Sequence, residues 1–191
     1  MKKIIVLSLL LFLFSYSSFS QETKPKEKVY SFGLGVGNEN DVGNFGAYVT
    51  NDLKIYLSKR FGINPRLNYF HSLGLYNKET NGFSSYSALF IECGVYYSFV
   101  KNQKIEISIN AGPSMMLGNM TYADMWQYDE NGKIINQRFD NEYIRKMGYY
   151  TDLEFSWSKR KKLVNTIAIK LNGLYIYPEF IGIVYKLGFK L

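Results

Sequence analysis

In the C-terminal segment of the chain, apolar residues alternate with residues that, except for one valine, are small or charged. Over residues 181–191 every second residue is apolar, and Gly182, Val184 and Lys186 are among the residues between them. Successive side chains of a β-strand point to opposite faces, so this period of two predicts a strand with one wholly apolar face. Chain termini usually fray, and a strand that includes the final residue therefore predicts that this terminus is structurally required.

The same alternation recurs along the chain and predicts eight strands in all. Gly33, Gly35 and Gly37 share one face of the first strand, and three glycines on one face predict a crowded space in front of it. Asn51 interrupts the apolar face of the second strand, which suggests a β-bulge there. The predicted strands span residues 30–37, 45–58, 63–73, 88–99, 105–117, 147–158, 163–172 and 181–191.

Short and long connections alternate along the chain. Basic turns at residues 59–62, 101–104 and 159–162 follow the second, fourth and sixth predicted strands, whereas longer polar segments follow the odd-numbered strands. The longest of these, residues 118–146, is predicted to be an irregular loop. An up-and-down meander places all the short turns and both termini at one end, as in outer-membrane barrels. The sequence therefore predicts an all-β fold, an eight-stranded antiparallel up-and-down transmembrane β-barrel.

The N-terminus has the features of a secretory signal peptide. A basic start precedes an apolar run at residues 4–14, and a small-x-small motif precedes Gln21. The apolar run is too short to span a bilayer well. We expect cleavage before Gln21, so that residues 1–20 are the signal peptide and residues 21–191 form the outer-membrane barrel domain.

The alternation alone does not say which face of the strands is buried. In a membrane barrel the apolar face meets lipid, whereas in a soluble periplasmic lipocalin-like barrel it would turn inward and bind an apolar ligand. Export, the short turns at one end and aromatic residues near both ends of the apolar face favour the membrane barrel. Eight strands leave an interior just wide enough for side chains to fill, so we expect a plugged lumen. The charges expected to pair across that lumen are Asp52, Lys54, Arg66, Glu92, Asp152, Glu154, Lys170 and Lys186.

The composition limits the chemistry open to the chain. The 23 lysines and arginines exceed the 16 aspartates and glutamates, but basic turns on an exported barrel favour contact with a membrane surface or solvent, so no nucleic acid partner is expected. Cys93 is the only cysteine and His71 the only histidine, which excludes an internal disulfide and gives no spaced ligand cluster for a metal. His71 and Ser72 are adjacent in a strand and should point to opposite faces. We expect no catalytic residue, no cofactor and no metal.

Several motifs resemble those of a known family. Phe19-Ser20-Gln21, the basic turns, Ile63-Asn64-Pro65-Arg66-Leu67 and the closing Gly188-Phe189-Lys190-Leu191 are similar to small outer-membrane β-barrel proteins of Gram-negative bacteria, the PorT-like and OmpX-like barrels. The resemblance covers residues 21–191. It implies an outer-membrane location and insertion by the barrel-assembly machinery, which reads the C-terminal strand; the last residue of that signal is usually aromatic and is leucine here. The residues of the signal would be Tyr185, Leu187, Phe189 and Leu191.

The third of the longer loops, residues 118–146, is the best candidate for a functional surface, because amphipathic aromatic residues favour contact with a partner. We expect a structural or surface-interaction role without catalysis, with outer-membrane lipid, the assembly machinery and a protein at the extracellular loops as partners. Two alternatives are a narrow channel or accessory component of a secretion or transport assembly, and the soluble barrel that binds an apolar ligand. The candidate residues of the loop are Tyr122, Trp126, Tyr128 and Tyr143.

Overall fold

The computed structural model describes residues 27–40, 44–74, 76–77, 82–83, 85–132, 134–160, 162–174 and 177–191. The predicted signal peptide and its cleavage before Gln21 lie outside these residues. None of the described residues forms a helix that is long and apolar enough to cross a membrane. The strands are β1 (Lys28–Glu39), β2 (Asn44–Tyr56), β3 (Phe61–Ser72), β4 (Tyr76–Asn77), β5 (Gly82–Phe83), β6 (Ser85–Lys101), β7 (Ile105–Tyr128), β8 (Ile134–Arg160), β9 (Leu163–Leu174) and β10 (Tyr177–Lys190).

Eight of these strands close into an antiparallel barrel. Around the ring the order is β1, β10, β9, β8, β7, β6, β3 and β2, so each barrel strand lies beside the ones that precede and follow it in the chain. The two short strands β4 and β5 form a separate hairpin in the connection between β3 and β6. The predicted eight-stranded up-and-down barrel is confirmed.

The C-terminal strand closes the ring against the first strand. β10 pairs with β1 in an unbroken antiparallel register that ends at Val29 and Lys190. The amide of Leu191 donates a hydrogen bond of 2.9 Å to the carbonyl of Lys28. A closed barrel leaves no strand edge unpaired, so these last residues are part of the wall.

The wall has an apolar outer face and a largely polar inner face. In β10, Ile183 is 56% exposed while its neighbour Val184 is fully buried, and in β9 Ile169 is 47% exposed while Lys170 is fully buried. The apolar side chains therefore point outward, which contradicts the alternative of a soluble barrel with an apolar ligand site inside.

The glycines of β1 lie on the inner face, and the space in front of them is crowded as predicted. A Cβ atom on Gly33 would lie 2.7 Å from the Cγ2 atom of Thr50 and 2.7 Å from the carbonyl oxygen of Tyr185. Only a residue without a side chain fits at such a distance, so Gly33 permits the close approach of β2 and β10.

Residues 118–146 do not form the predicted irregular loop. β7 and β8 pair with each other as far as Tyr128 opposite Ile134, and a short turn closes this long hairpin at Gly132, whose amide bonds the carbonyl of Asp129 at 3.0 Å. The prediction was wrong because polar and charged residues in this segment hide the alternation, whereas antiparallel pairing satisfies the backbone whatever the side chains. The connections after β1 and β9 are also short, and the only long connection between barrel strands at this end is the one between β3 and β6, which contains the β4–β5 hairpin.

The suggested bulge at Asn51 is also wrong. β2 keeps one register against both β1 and β3 through this position. Asn51 points outward, and its side-chain oxygen accepts a hydrogen bond of 2.7 Å from the hydroxyl of Tyr30. A polar residue on the apolar face is thus satisfied by a neighbouring tyrosine without any change in strand pairing.

Candidate functional site

The polar interior of the barrel is the most concentrated chemical feature of the molecule. All eight predicted lumen charges point inward and are buried, because they occupy the inward-facing alternate positions of their strands. Six strands supply them, so the charges of one strand can meet those of distant strands across the lumen. They are Asp52 and Lys54 in β2, Arg66 in β3, Glu92 in β6, Asp152 and Glu154 in β8, Lys170 in β9 and Lys186 in β10.

Arg66 is the centre of a first ion-pair cluster. Its guanidinium pairs with Asp152 across the lumen, and its Nε atom lies 3.3 Å from an oxygen of Glu92 on the adjacent strand. The guanidinium carbon also lies 4.1 Å from the ring centroid of Tyr150. Asn68 donates a further hydrogen bond of 2.7 Å to Glu92. The cluster ties β3 to β8, which are not neighbours in the wall.

Lys186 is the centre of a second cluster. Its ammonium pairs with Asp52 and lies 2.7 Å from an oxygen of Glu154. Lys54 pairs with the other oxygen of Glu154. Two lysines and two carboxylates from β2, β8 and β10 thus neutralise one another inside the barrel, as buried charges require.

Lys170 differs from the other three lumenal cations. Within the described part of the chain, its Nζ atom has no hydrogen-bond partner and no carboxylate within 4.0 Å. In the register of β8 and β9 it lies opposite Asp152, but that carboxylate pairs with Arg66. The nearest aromatic contact places Nζ 5.8 Å from the ring centroid of Tyr48.

Aromatic layers flank the charges at both ends of the lumen. At the end where the β7–β8 hairpin lies, the ring of Phe180 makes edge-to-face contacts with Phe70 at 5.4 Å and Phe90 at 5.0 Å between centroids. At the short-turn end, Tyr56 and Tyr96 make a similar contact at 5.0 Å. The sequence reasoning assigned these rings no role, although they share the inward-facing alternate positions of the charges.

A cavity of about 40 Å³ lies at the short-turn end of the lumen, next to the second cluster. Glu106 accepts a hydrogen bond of 2.7 Å from the Tyr56 hydroxyl, and the Nζ atom of Lys101 lies 3.3 Å from the centroid of the same ring. Lys101 is the last residue of β6 and lies at the short-turn end. The space accommodates only a few water molecules.

The four residues predicted to form a partner-binding loop lie in the β7–β8 hairpin instead. Tyr122, Trp126 and Tyr128 belong to β7 and Tyr143 belongs to β8, and their backbones pair across the hairpin. Tyr128 is 59% exposed and Tyr143 is 69% exposed. The structure thus places these two aromatic rings on a paired, extended sheet.

The four residues of the expected assembly signal all lie on the outer face. Tyr185 is 49% exposed, Leu187 38%, Phe189 45% and Leu191 75%. The hydroxyl of Tyr185 donates a hydrogen bond of 2.6 Å to the side chain of Asn165. As at Asn51, a tyrosine satisfies an outward-facing asparagine.

The single histidine and its neighbouring serine do not meet. His71 is exposed, and its ring lies parallel to that of Tyr69 with 6.3 Å between centroids. Ser72 is buried, and its hydroxyl oxygen accepts a hydrogen bond of 2.7 Å from the amide of Tyr86. The two side chains lie on opposite faces of the wall, as their adjacency in a strand predicts.

Comparison with known proteins gives a structural likeness and no sequence family. No protein-family model matches the chain, and no curated protein matches it. The attachment invasion locus protein Ail of Yersinia pestis has a similar structure (TM-score 0.57, 9% identity, 88% of this chain and 100% of that chain). Neisserial surface protein A is also similar, with a TM-score of 0.55, 8% identity, and 86% of this chain and 96% of that chain covered. A major outer membrane protein from Thermus thermophilus has a TM-score of 0.53 and 10% identity, with 86% of this chain and 99% of that chain covered.

The chain has the fold of the small outer-membrane β-barrels. Identities of this size show the fold alone, so membership of the PorT-like or OmpX-like barrels stays a prediction. In an eight-stranded outer-membrane barrel the interior is just wide enough for side chains, and the two ion-pair clusters and the aromatic layers occupy it here.

Proposed function

We propose that this protein is an outer-membrane β-barrel with a lumen closed by side chains, without catalysis, whose β7–β8 hairpin contacts a partner outside the membrane. The observation that carries this proposal is the hairpin itself. β6 pairs with β7 only as far as Thr121, and β9 pairs with β8 only from Tyr149 onward. The part of the hairpin beyond these pairs therefore extends past the neighbouring strands.

The outer face supports the membrane placement. Leu34, Ile169 and Ile183 are each about half exposed on different strands, and their outward neighbours are also apolar. Soluble monomers rarely expose large continuous apolar patches. A closed barrel satisfies its backbone internally, which is the requirement for a sheet that spans lipid.

The lumen supports a non-conducting barrel. Ion pairs connect β3 to β8 and β10 to β2 and β8, and aromatic rings lie above and below them. We expect no steady current when the purified barrel is inserted into a planar bilayer. A steady ion current would favour the alternative of a narrow channel.

The surface of the hairpin supports contact with a protein. Tyr143 and Met147 are both 69% exposed on the outward side of β8. Over residues 141–148, β8 has a described neighbouring strand on one side only, and such an edge can pair with a strand of another chain.

Site-specific crosslinking in intact cells tests this surface. A photo-crosslinking residue in place of Tyr143 should capture a protein, and the same residue in place of Ile169 should not, because Ile169 faces lipid. The variant Tyr143→Ser with Met147→Ser should weaken capture through a crosslinker at position 145 and leave the barrel folded, as judged by its shift in gel mobility on boiling. A folded barrel that captures no protein from positions 143 or 145 contradicts the partner role.

A further inference from the structure

The two ends of the barrel carry opposite charge. The short-turn end has an excess of cations among its described residues, namely Lys28, Lys59, Arg60, Lys101, Lys104, Lys162 and Lys190 against Glu27 and Glu106. The hairpin end has an excess of carboxylates among its described residues, namely Glu39, Asp129, Glu130, Asp140, Glu142 and Glu179 against Arg138, Arg145 and Lys146. The lumenal charges balance, so the positive charge of the chain is concentrated at the short-turn end.

Most of the described cations at the short-turn end have no described carboxylate beside them. Glu27 lies 2.8 Å from the ammonium of Lys190 and 3.9 Å from that of Lys101. The other five cations have no carboxylate within 4.0 Å among the residues that the structure describes. We call these five the basic rim: Lys28, Lys59, Arg60, Lys104 and Lys162.

Outward-facing aromatic residues lie next to the cations of this end. Tyr30 follows Lys28 by two positions on β1 and is 43% exposed, and Tyr97, which pairs with the residue after Arg60, is 47% exposed. Aromatic residues of membrane proteins gather at the level of the lipid headgroups, and lysine and arginine extend their charged ends to the same level. The basic rim therefore lies at headgroup depth.

We propose that the basic rim binds the anionic phosphate headgroups of phospholipids in the leaflet at the short-turn end. This inference rests on the proposed membrane placement. Unpaired cations next to a membrane surface attract anionic headgroups, and the attraction acts over a Debye length. The excess of carboxylates gives the hairpin end no such attraction, so the anionic lipid is expected to gather at one end only.

Trp157 provides a reporter at this end. Its ring lies on the outer face near the end of β8, with its centroid 5.7 Å from that of Phe155 and 6.4 Å from that of Tyr185. The change Trp126→Phe leaves it as the only tryptophan of the chain. Residues 21–191 carrying this change are refolded into phosphatidylcholine vesicles that contain an equal minor fraction of either brominated phosphatidylcholine or brominated phosphatidylglycerol.

Quenching of Trp157 fluorescence then reports which lipid surrounds the rim. We expect brominated phosphatidylglycerol to quench several-fold more strongly than brominated phosphatidylcholine at low salt. The preference should disappear at about 1 M salt, where the Debye length falls to about 3 Å. Heat-dependent gel mobility of the same samples measures the inserted fraction independently.

A matched pair of triple variants locates the effect. Changing Arg60, Lys104 and Lys162 to glutamine should abolish the preference for phosphatidylglycerol. Changing the three cations of the hairpin end to glutamine removes the same charge and should leave the preference intact; they are Arg138, Arg145 and Lys146.

The outcomes separate this inference from the proposed function. A barrel that inserts but is quenched equally by both brominated lipids overturns the lipid preference alone. A preference that survives in the rim variant and disappears in the hairpin-end variant also overturns it. Failure to insert into vesicles of either composition would overturn the membrane placement and this inference with it.

Discussion

The two faces of the barrel wall are made by neighbouring residues of the same strands, yet they depend on different interactions. Ile169 and Lys170 are adjacent in β9, and they are 47% and 0% exposed. With the proposed membrane placement, an outward residue needs only to be apolar, because lipid accepts any such side chain. An inward charge needs a partner of opposite sign, since burial in low dielectric is costly for an isolated ion. Exchanging one apolar residue for another on the outer face should therefore change stability little, whereas replacing an inward charge that has an ion-pair partner should change it strongly.

The largest effect is expected on the inner face. The change Arg66→Leu leaves Asp152 and Glu92 buried without their counter-charge. Removing one partner of a buried pair typically costs about 3–5 kcal/mol of unfolding free energy. Urea unfolding of the barrel in vesicles, followed by gel mobility, measures the loss. Arg66→Lys is the control: it keeps the charge, cannot reproduce the two-sided guanidinium geometry, and should be intermediate.

The next largest effect tests the outer face. Ile169→Arg places a charge among apolar side chains, and near the middle of a bilayer this costs about 2–4 kcal/mol in a β-barrel. The inserted fraction and the urea midpoint should both fall. Ile169→Leu keeps the apolar character and should behave like the unmodified chain. Normal insertion of the arginine variant would mean that Ile169 does not face lipid.

A smaller effect is expected where the inner face is crowded by backbone. In Gly33→Ala the added methyl would lie 2.7 Å from the Tyr185 carbonyl oxygen and 2.8 Å from the Cγ atom of Lys186. Overpacking of this kind typically costs about 1–3 kcal/mol. Gly118→Ala is a milder comparison, because its nearest atom, the carbonyl oxygen of Ser87, is 3.0 Å away. Equal stability of both variants would show that β1 shifts to accommodate the methyl.

The alternation predicted the eight strands and which residues of each strand share a face, whereas export, the short turns at one end and the outer aromatic residues were needed to decide which face points inward. Because successive side chains of a strand point to opposite faces, Arg66 was placed on the same face as Asn64 and Asn68. The β7–β8 hairpin was missed because its residues show no alternation. Residues around Arg138 and Glu142 are polar on both faces, and a strand that extends into solvent on both sides leaves no alternating pattern to detect.

The sequence could not predict which lumenal cation pairs with which carboxylate. Asp52 lies opposite Arg66 in the register of β2 and β3, and a sequence argument would pair them. In the structure Arg66 reaches Asp152 and Asp52 binds Lys186. The choice depends on the width and shear of the closed barrel, which set the distances between strands that are not neighbours.

The smallest effect is expected at Lys170, and it separates two kinds of inward cation. In Lys170→Met the lost ammonium makes no hydrogen bond within the described residues, so its removal leaves no buried group without a hydrogen-bond partner. The release of a buried charge opposes the lost attraction to Glu92 and Asp152, and the unfolding free energy should change by no more than about 1 kcal/mol. Lys186→Met is the matched variant. It leaves Asp52 without its ion-pair partner and removes one of the two cations that pair with Glu154, so the loss of unfolding free energy should approach that expected for Arg66→Leu. Equal losses at Lys170 and Lys186, measured by the same urea unfolding, would show that the Lys170 ammonium is held as firmly as the paired cations, and that inward position alone, rather than an ion pair, decides the cost.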